Sequence, residues 1–449
     1  MTDGDLSRRS NLSVVSRIAT YYWDIMTTSI RFFRAAAVFI CVMYTCAVSS
    51  DWPAFHGLDR TNKSKETGLM KKWPAEGPKL LWTASGLGMG YSGVSTSGGI
   101  VYTAGIVDKV NYIFAFDNNG KLLWRKEAGN SWEGKSAFAR GFEGTRSTPA
   151  ISAGMVYYLS DMGLLTVLDA KTGAHIWSLD IREKYEGHIA RYAYSESPLI
   201  DGDKLYAAAY GKAGVLCLDK KTGKVIWESE RLPGGAGDAG DTYAGYTSFV
   251  IVNDNGFRQL MSYTADYVYG MNSANGKLLW KVPFANPRHR DNCTDVIYHD
   301  GHVLASSGYG HGSMLVKLNK TENGVSAQEV YRTKLMDNHH GGVIFHNGYV
   351  YGSGHESKGW FCLDFKTGKQ MWNTPGKGSI KFAEGMLYLY DENGAMSLVK
   401  AQHDKYELVS TFQVPPGGKG AHWAHPVVSN GRLYLRHADN LYAYDIKNK

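Results

Sequence analysis

The stretch LDAKTGAHIW, residues 168–177, decides the fold because close copies of it recur along the chain. Four further segments share its strand end, its Asp or Asn, its glycine and its closing tryptophan: FDNNGKLLW (116–124), LDKKTGKVIW (218–227), MNSANGKLLW (271–280) and LDFKTGKQMW (363–372). Asp or Asn closes an Asx-type turn, and glycine supplies the positive φ that a short hairpin needs. Each copy therefore predicts two antiparallel strands joined by a tight turn.

The spacing of the closing residue indicates the kind of repeat. Weaker copies place Trp82, Tyr331 and Phe412 at the tryptophan position, so successive closing residues lie 40 to 53 residues apart. That period is typical of a propeller blade. Upstream of the turns, stretches such as HPVVSNGRLYLRHA (425–438) add a further strand, turn and strand. Each unit is therefore predicted to be a sheet of four antiparallel strands.

The two ends of the chain predict how the ring closes. The C-terminal unit stops after its third strand, whereas PKLLW (78–82) is a fourth strand without the other three. Because each fragment supplies what the other lacks, the sequence predicts an all-β, eight-bladed β-propeller of four-stranded antiparallel blades, closed by an N-terminal strand that completes the last blade. A linear solenoid would not explain the complementary fragments. We assign residues 78–449 to the propeller and 50–77 to a lead-in segment.

Residues 1–49 are interpreted as an N-terminal extension and signal peptide. Two arginines precede an apolar run, Ala35–Val48, which fits the core of a secretion signal and is shorter than the ~20 residues of a membrane-spanning helix. We expect cleavage near residues 47–49, an exported protein in the periplasm or medium, and no transmembrane segment afterwards; an uncleaved anchor is the alternative. The formal net charge is +7, but no basic cluster stands out, so no nucleic-acid partner is predicted.

Polar and aromatic residues gather where the chain enters the innermost strand of each blade. Strand directions alternate, so these linkers share one face of the propeller with the loops between the second and third strands. DNHHGG (337–342) places His339 and His340 on this face. The other candidate site residues are Arg140, Arg146, Arg191, Tyr194, Tyr246, Asp291, Asn292, Tyr309, His311, His355, His422, Trp423 and His425. The sequence predicts a pocket at the channel mouth, with a merely hydrated opening as the alternative.

The paired histidines leave the question of a metal open. Adjacent side chains in an extended segment point to opposite sides, so His339 and His340 would bind one ion only if the loop curls. The same positions suit hydrogen bonding to an organic ligand. No metal is assigned from the sequence.

The repeated D-x-x-T-G-K-x-x-W pattern resembles that of the pyrroloquinoline quinone (PQQ) repeat proteins, over about residues 78–449. That family includes quinoprotein alcohol dehydrogenases and the non-catalytic outer-membrane barrel-assembly propeller lipoprotein. The opening DWPAFHGLDRTNKSKETGLMKKWP (51–74) is also similar to the lead-in of exported PQQ-like proteins, some of which are labelled polyvinyl-alcohol dehydrogenase-like. The motif is specific for the fold and much less so for the function.

One function that the resemblance implies is a quinoprotein-type alcohol or sugar dehydrogenase with PQQ and calcium. Arg140, Arg146 and Arg191 would then meet the carboxylates of the quinone. Asp291, with the histidine pair, would take the alcohol proton. The chain has no haem-attachment CxxCH, so electrons would leave to a separate acceptor, and it has no adjacent cysteines for the vicinal disulfide on which those dehydrogenases stack the quinone.

The second function is that of a non-catalytic propeller that binds a carbohydrate or a protein partner. Tyr194, Tyr246 and Trp423 would stack on sugar rings. This interpretation needs neither a cofactor nor a disulfide. In both cases we expect a monomer with a small polar, sugar or quinone ligand.

Overall fold

The computed structural model describes residues 51–134, 141–232, 245–322 and 324–448, which lie within one compact unit covering 50–449. Strands that follow one another in the chain pair antiparallel and form eight four-stranded blades. The predicted signal peptide lies outside the described residues. Within the described ranges the one helix is the short α1 (Ile181–Lys184), and none is long and apolar enough to cross a membrane.

Two strands precede the first blade: β1 (Lys63–Ser64) in the lead-in and β2 (Lys79–Ala84) just after it. Blade 1 consists of β3 (Ser95–Ser97), β4 (Ile100–Val107), β5 (Val110–Asp117) and β6 (Leu122–Asn130). Blade 2 consists of β7 (Ala150–Ser152), β8 (Met155–Leu159), β9 (Leu164–Asp169) and β10 (His175–Asp180). Blade 3 consists of β11 (Leu199–Asp201), β12 (Lys204–Ala208), β13 (Val215–Asp219) and β14 (Val225–Glu228). Blade 4 consists of β15 (Val250–Asp254), β16 (Phe257–Tyr263), β17 (Tyr267–Asn272) and β18 (Leu278–Pro283).

The remaining blades repeat the pattern. Blade 5 consists of β19 (Ile297–His299), β20 (His302–Ser307), β21 (Gly312–Thr321) and β22 (Gly324–Thr333). Blade 6 consists of β23 (Val343–His346), β24 (Tyr349–Ser353), β25 (Gly359–Asp364) and β26 (Gln370–Pro375). Blade 7 consists of β27 (Gly378–Ala383), β28 (Met386–Asp391), β29 (Ala395–Lys400) and β30 (Leu408–Gln413). Blade 8 takes β31 (Val427–Ser429), β32 (Arg432–His437) and β33 (Asn440–Asp445).

The ring closes as the half-blades at the chain ends predict. Strand β2 pairs antiparallel with β33 and becomes the fourth strand of blade 8, with Lys79 opposite Asp445 and Ala84 opposite Leu441. First strands of neighbouring blades lie next to each other, as β3 does with β7 and β27 with β31. These first strands therefore surround a central channel, and the eight-bladed all-β propeller is confirmed.

The recurring turn receives the tryptophan of the preceding blade. At Gly173 (φ +69°) a Cβ atom would lie 2.8 Å from the ring of Trp124, so only glycine lets the indole rest on the turn. The indole Nε1 of Trp124 also donates to the carbonyl oxygen of Ala170, at 3.2 Å. The same contact joins Trp82 to Asn118, Trp177 to Lys220 and Trp227 to Ser273. The repeat motif thus links each of these blades to the next.

The contact fails where the next blade lacks the turn. Blade 5 joins its last two strands by a longer hairpin, and Trp280 of blade 4 instead donates to Oε1 of Gln259 in its own blade, at 2.8 Å. Tyr331 takes the place of tryptophan in blade 5. Its hydroxyl donates to the carbonyl oxygen of Phe365, and its ring covers Gly368. Tyr331 therefore keeps the same contact with a different side chain.

The lead-in segment runs through the central channel. Residues 52–62 contact the first strands, or the residues just before them, of six blades. The partners in blades 1, 2, 3, 5, 7 and 8 are Thr96, Ile151, Pro198, Asp295, Ile380 and His425. Strand β1 then pairs parallel with β27, placing Lys63 opposite Phe382. A segment with contacts to six of the eight blades at their inner edges occupies the channel.

A buried lysine, Lys381, packs against this segment. Trp52 is 5% exposed, and the ammonium group of Lys381 lies 3.6 Å from the centre of its ring. That lysine also donates to Oδ1 of Asn62. Burial lowers the pKa of Lys381 well below its usual value. The lead-in is thus held by specific polar contacts as well as by packing.

Candidate functional site

A cavity of about 250 Å³ lies at the channel mouth. Every blade contributes at least one side chain from the linker that enters its first strand, and the loops of blades 5 and 6 add two more. The lining residues are Phe55, Tyr91, Phe142, Arg146, Tyr192, Ser195, Ser197, Tyr246, Ser248, Asp291, Cys293, Asp295, Tyr309, His339, His340, His355, Lys377, Trp423 and His425. Aromatic rings and polar groups therefore surround the same space.

The cavity has an exposed rim and a buried floor. Phe142 is 39% exposed and stacks parallel on Trp423, with ring centres 5.3 Å apart. At the other end, Ser197, Ser248 and Asp295 are at most 4% exposed. Phe55 of the lead-in also lines the cavity, so the lead-in closes its inner end.

Glu392, in the loop between β28 and β29, holds three lining residues in place. Its Oε1 accepts hydrogen bonds from Nε2 of His340 at 2.9 Å and from Nε1 of Trp423 at 2.7 Å. The ammonium group of Lys377 lies 2.8 Å from the same oxygen. Burial opposes ionisation of Glu392, but the bonds from His340 and Lys377 outweigh it and lower its pKa to about 2. This carboxylate is therefore charged at neutral pH.

Three histidine rings meet on one side of the cavity. The centre of the His339 ring lies 5.0 Å from that of His340 and 4.7 Å from that of His355, and its Nε2 is 3.1 Å from the hydroxyl of Tyr309. Burial lowers the pKa of all three rings, that of His355 to about 4, so they are neutral at pH 7. Their Nδ1 atoms are buried and have no hydrogen-bond partner among the described residues. Such groups are rare in folded proteins and indicate a ligand or water site.

A chain of imidazoles lies beneath the cavity. Nε2 of His425 lies 2.7 Å from the carbonyl oxygen of His340 and must donate to it, because a carbonyl only accepts. Nδ1 of His425 therefore accepts, and Nε2 of His56, at 3.0 Å, donates. On the far side, Nδ1 of His56 lies 3.0 Å from Oδ2 of Asp295. Burial raises the pKa of Asp295 to about 7 and lowers that of His56. The pair therefore favours the neutral forms.

The structure brings most of the sequence-predicted site residues together. Nine of them line the cavity: Arg146, Tyr246, Asp291, Tyr309, His339, His340, His355, Trp423 and His425. They come from five linkers and two loops, which the prediction placed on one face. Their roles in binding or catalysis stay predictions.

Four predicted residues point away from the cavity lining. Tyr194 donates to the carbonyl oxygen of Ala209 in a hydrophobic cluster, and Asn292 donates to that of Thr264. The His311 ring packs against Phe284, and the His422 ring stacks on His437 with centres 3.6 Å apart. These side chains fill the spaces between and within blades. Arg191 is described but does not line the cavity, and Arg140 lies outside the described residues.

Sequence reasoning missed several residues of the site. Phe55 and His56 belong to the lead-in, which carries no blade motif. The one signal in the sequence is that two large rings stand next to each other in a polar segment. Glu392 lies in DENG (391–394), which looks like an ordinary turn. Lys377 and Asp295 do precede first strands, so the positional rule that selected the histidines would have found both.

Metal and disulfide chemistry find little support in the described ranges. There, no group of three or more His, Cys, Asp or Glu side chains is arranged to hold a metal ion. The three described cysteines, Cys217, Cys293 and Cys362, are free, and only Cys293 lines the cavity.

Comparison with known proteins assigns this chain to a family. The family model described as outer membrane protein assembly factor BamB matches residues 74–228 and 109–374. A quinoprotein ethanol dehydrogenase of Pseudomonas aeruginosa is 32% identical over 94 residues, which are 21% of this chain and 15% of that protein. BamB of Kangiella koreensis is 23% identical over 196 residues, 43% of this chain and 42% of that protein. The matches therefore span less than half of either relative.

Solved structures show the same architecture. BamB from Moraxella catarrhalis superposes with a TM-score of 0.57 at 15% identity, covering 83% of this chain and 98% of that chain. Quinohemoprotein alcohol dehydrogenase from Comamonas testosteroni gives 0.61 at 13% identity, covering 91% of this chain and 82% of that chain. At these identities the likeness shows the fold alone. With its repeats, its closed ring and the family match over residues 74–374, the chain belongs to the PQQ-like repeat propeller family represented by the BamB model.

Proposed function

We propose that this protein is a carbohydrate-binding propeller whose ligand occupies the channel-mouth cavity. The observation that carries the proposal is the set of three partly exposed, neutral histidines whose buried Nδ1 atoms have no partner among the described residues, in a cavity lined by aromatic rings. A sugar offers hydroxyl groups, which can both donate to and accept from a neutral imidazole. Its C–H faces also pack well on aromatic rings.

The charge of the cavity supports a ligand without net charge. Arg146 donates to the carbonyl oxygens of Phe142 and Gly144, and Lys377 is paired with Glu392. Both cations are thus engaged within the protein. A neutral, hydroxyl-rich ligand needs no further charged partner and suits the mixture of serine, tyrosine and histidine side chains that line the cavity.

The residues present fit a bound PQQ with calcium less well than they fit a sugar. The three carboxylates of PQQ need several cations, and the cavity lining offers Arg146 and Lys377, of which Lys377 is already paired with Glu392. One face of Trp423 is covered by Phe142, and the His340 ring lies 4.7 Å from the indole, so no open parallel gap flanks it. The cavity also offers one free cysteine in place of a vicinal disulfide. We therefore derive no redox step for this site.

The second candidate function is a quinoprotein-type dehydrogenase acting with a separate electron acceptor. The names of two relatives favour it, and Asp291 lies in the cavity where a base would be needed.

We further propose that the protein is exported and monomeric. N-terminal sequencing of secreted material should begin near residues 48–51, and full-length protein retained in the cytoplasm would contradict export.

The test is calorimetric titration with linear gluco-, xylo-, manno- and galacto-oligosaccharides, and separately with PQQ and calcium. We expect one of the sugars to bind, and PQQ to give no heat and to leave no quinone absorbance on the protein after dialysis. Binding of PQQ without any sugar would favour the dehydrogenase. Binding of none of these probes would contradict the proposed function.

A pair of double variants locates the binding. His339→Ala with His340→Ala should abolish sugar binding while the protein stays folded, because both rings line the cavity. The matched control, His302→Ala with His403→Ala, removes two histidines from turns on the opposite face and should bind as the wild type does. Equal losses in the two variants would place the sugar elsewhere.

A further inference from the structure

Among the described residues, the lead-in closes the inner end of the cavity, which leaves the channel mouth as its opening. Phe55 lies between His56, stacked at 3.8 Å, and His425, whose ring centre is 5.0 Å away. His56 is 4% exposed and contacts both His425 and Asp295. These contacts span the channel from blade 5 to blade 8 directly beneath the cavity.

The floor is held firmly from several sides. Trp52 exchanges hydrogen bonds with Thr96, because its N–H donates to Oγ1 and its carbonyl oxygen accepts from the threonine N–H. Arg60 donates to the carbonyl oxygen of Pro198, and Asn62 donates to that of Ile380. A ligand would have to break this network to pass through the channel. Breaking this network would cost far more free energy than the binding of one sugar unit contributes.

The size of the cavity is consistent with a short ligand segment. Its volume of about 250 Å³ lies just below the roughly 300–1,000 Å³ of sites for drug-sized ligands. Such a space suits one ring-sized unit rather than an extended oligomer. The exposed rim, formed by Phe142 and Trp423, leaves room for the rest of a chain to continue into solvent.

We propose that the site recognises the terminal unit of a carbohydrate chain, with Phe55 and His56 as the floor that sets how deeply the unit enters. This inference rests on the proposed function, because it names the part of the carbohydrate that the same cavity takes. An internal unit has a neighbour on both sides. In a pocket with one opening, the second neighbour would have to occupy the space of the lead-in.

Chain length tests the inference. Linear gluco-, xylo-, manno- and galacto-oligosaccharides of six units are compared with linear polymers about tenfold longer, by calorimetry with concentration expressed per chain. If ends are bound, the Kd per mole of chain stays the same. If internal units are bound, the number of sites per chain rises with length, and the apparent Kd per chain falls about tenfold.

A cyclic ligand gives an independent comparison for glucans. Maltohexaose has ends, whereas the cyclic hexamer α-cyclodextrin contains the same units and has none. Wherever the linear glucan binds, we expect no binding of the cyclic one. Binding of cyclic and linear forms alike, or the tenfold fall with chain length, would overturn terminal recognition while leaving carbohydrate binding in place. Binding of no saccharide at all would overturn both proposals.

A floor variant connects the effect to the lead-in. Phe55→Ala should weaken binding of the short oligosaccharide about tenfold and leave the melting temperature nearly unchanged, since Phe55 is only partly buried. The matched control is Leu58→Ala in the same segment, where the side chain is 76% exposed and should not affect binding. If Phe55→Ala binds the oligosaccharide with unchanged affinity, Phe55 does not contact the ligand and the proposed role of the lead-in is wrong.

Discussion

Replacing Glu392 with glutamine tests whether one partly buried carboxylate organises the candidate site. The substitution keeps the shape of the side chain and removes its charge. At the wild-type position, His340, Trp423 and Lys377 all contact Oε1 within 2.9 Å. The indole N–H can still donate to an amide oxygen, but the ammonium group and the imidazole lose a charged acceptor.

The expected loss follows from the pKa of this group. Ionisation of Glu392 shifts from the ordinary 4.5 to about 2, and its side chain is 24% exposed. At ~1.4 kcal/mol per pKa unit, the folded state gains about 3 kcal/mol from this charge at pH 7. For a compact unit covering residues 50–449, an unfolding entropy of ~2.1 cal/mol/K per residue converts that loss into a fall in Tm of ~4 °C. Sugar affinity should fall as well, because Trp423 and His340 lose their fixed positions.

Differential scanning calorimetry at pH 7 measures the fall in Tm, and Glu407→Gln provides a matched control. Glu407 also has three polar neighbours, Lys400, Gln402 and Lys405, but its two lysine partners are 50% and 64% exposed, so water screens these contacts. Its Tm should match that of the wild type. The stabilisation by Glu392 is present above pH 4.5 and is lost as the pH falls toward 2, so wild type and variant should converge in acid. Equal Tm values at pH 7 for Glu392→Gln and wild type would refute the reasoning.

Three further predictions address the fold. Gly173→Ala should lower the Tm more than Gly154→Ala, since both have positive φ but only the first adds a Cβ against a tryptophan ring; equal effects would exclude the blade-linking role of that ring. Trp52→Ala should cost ~3–5 kcal/mol by chemical denaturation, against no measurable cost for Leu58→Ala, and a small loss would mean that the lead-in is not packed in the channel. Stability should fall below pH 6.5, because eight histidines with lowered pKa stay neutral when folded but take up protons when unfolded. Three carboxyl groups with raised pKa oppose this trend but are fewer, and a Tm that rises from pH 6.5 to 5 would contradict it.

The blades were predictable because their contacts are local and repeated. The turn glycine and the closing tryptophan occur in most copies, and the structure shows that they touch across the blade boundary, as Gly173 and Trp124 do. Ring closure was predictable because the missing strands at the two ends are complementary. Both inferences use the order of short patterns, which the sequence displays directly.

The lead-in was not predictable in this way. Its contacts join Asn62 to Ile380 and His56 to His425, more than three hundred residues apart in the chain. No periodic pattern marks a segment that lies in a channel, and its strand β1, with two ladder residues, is too short to recognise. The assignment of 50–77 as a lead-in placed its boundary and gave no indication of where it lies.

For the site, the sequence predicted where residues lie but not the direction in which their side chains point. The rule that residues before a first strand face the channel mouth correctly gathered His339, His340 and Trp423 on one face. It could not tell which of two neighbouring side chains turns inward, and His422, beside Trp423, packs on His437 between strands. Direction depends on the twist of each linker, which the surrounding packing determines.

Ring closure and completion of the proposed site depend on the same part of the chain. The segment 52–64 supplies the floor of the cavity through Phe55, and β2, only 15 residues further on, completes blade 8. Both must wait for strands near the C-terminus: β27 pairs with β1, and β33 pairs with β2. A chain that has not closed its ring therefore lacks the pocket floor, since Phe55 and His56 are held by blades 5 and 8. Because a ligand that binds only the closed form stabilises it by mass action, sugar binding should raise the Tm of the intact propeller, and it should do so less when the lead-in contacts are weakened.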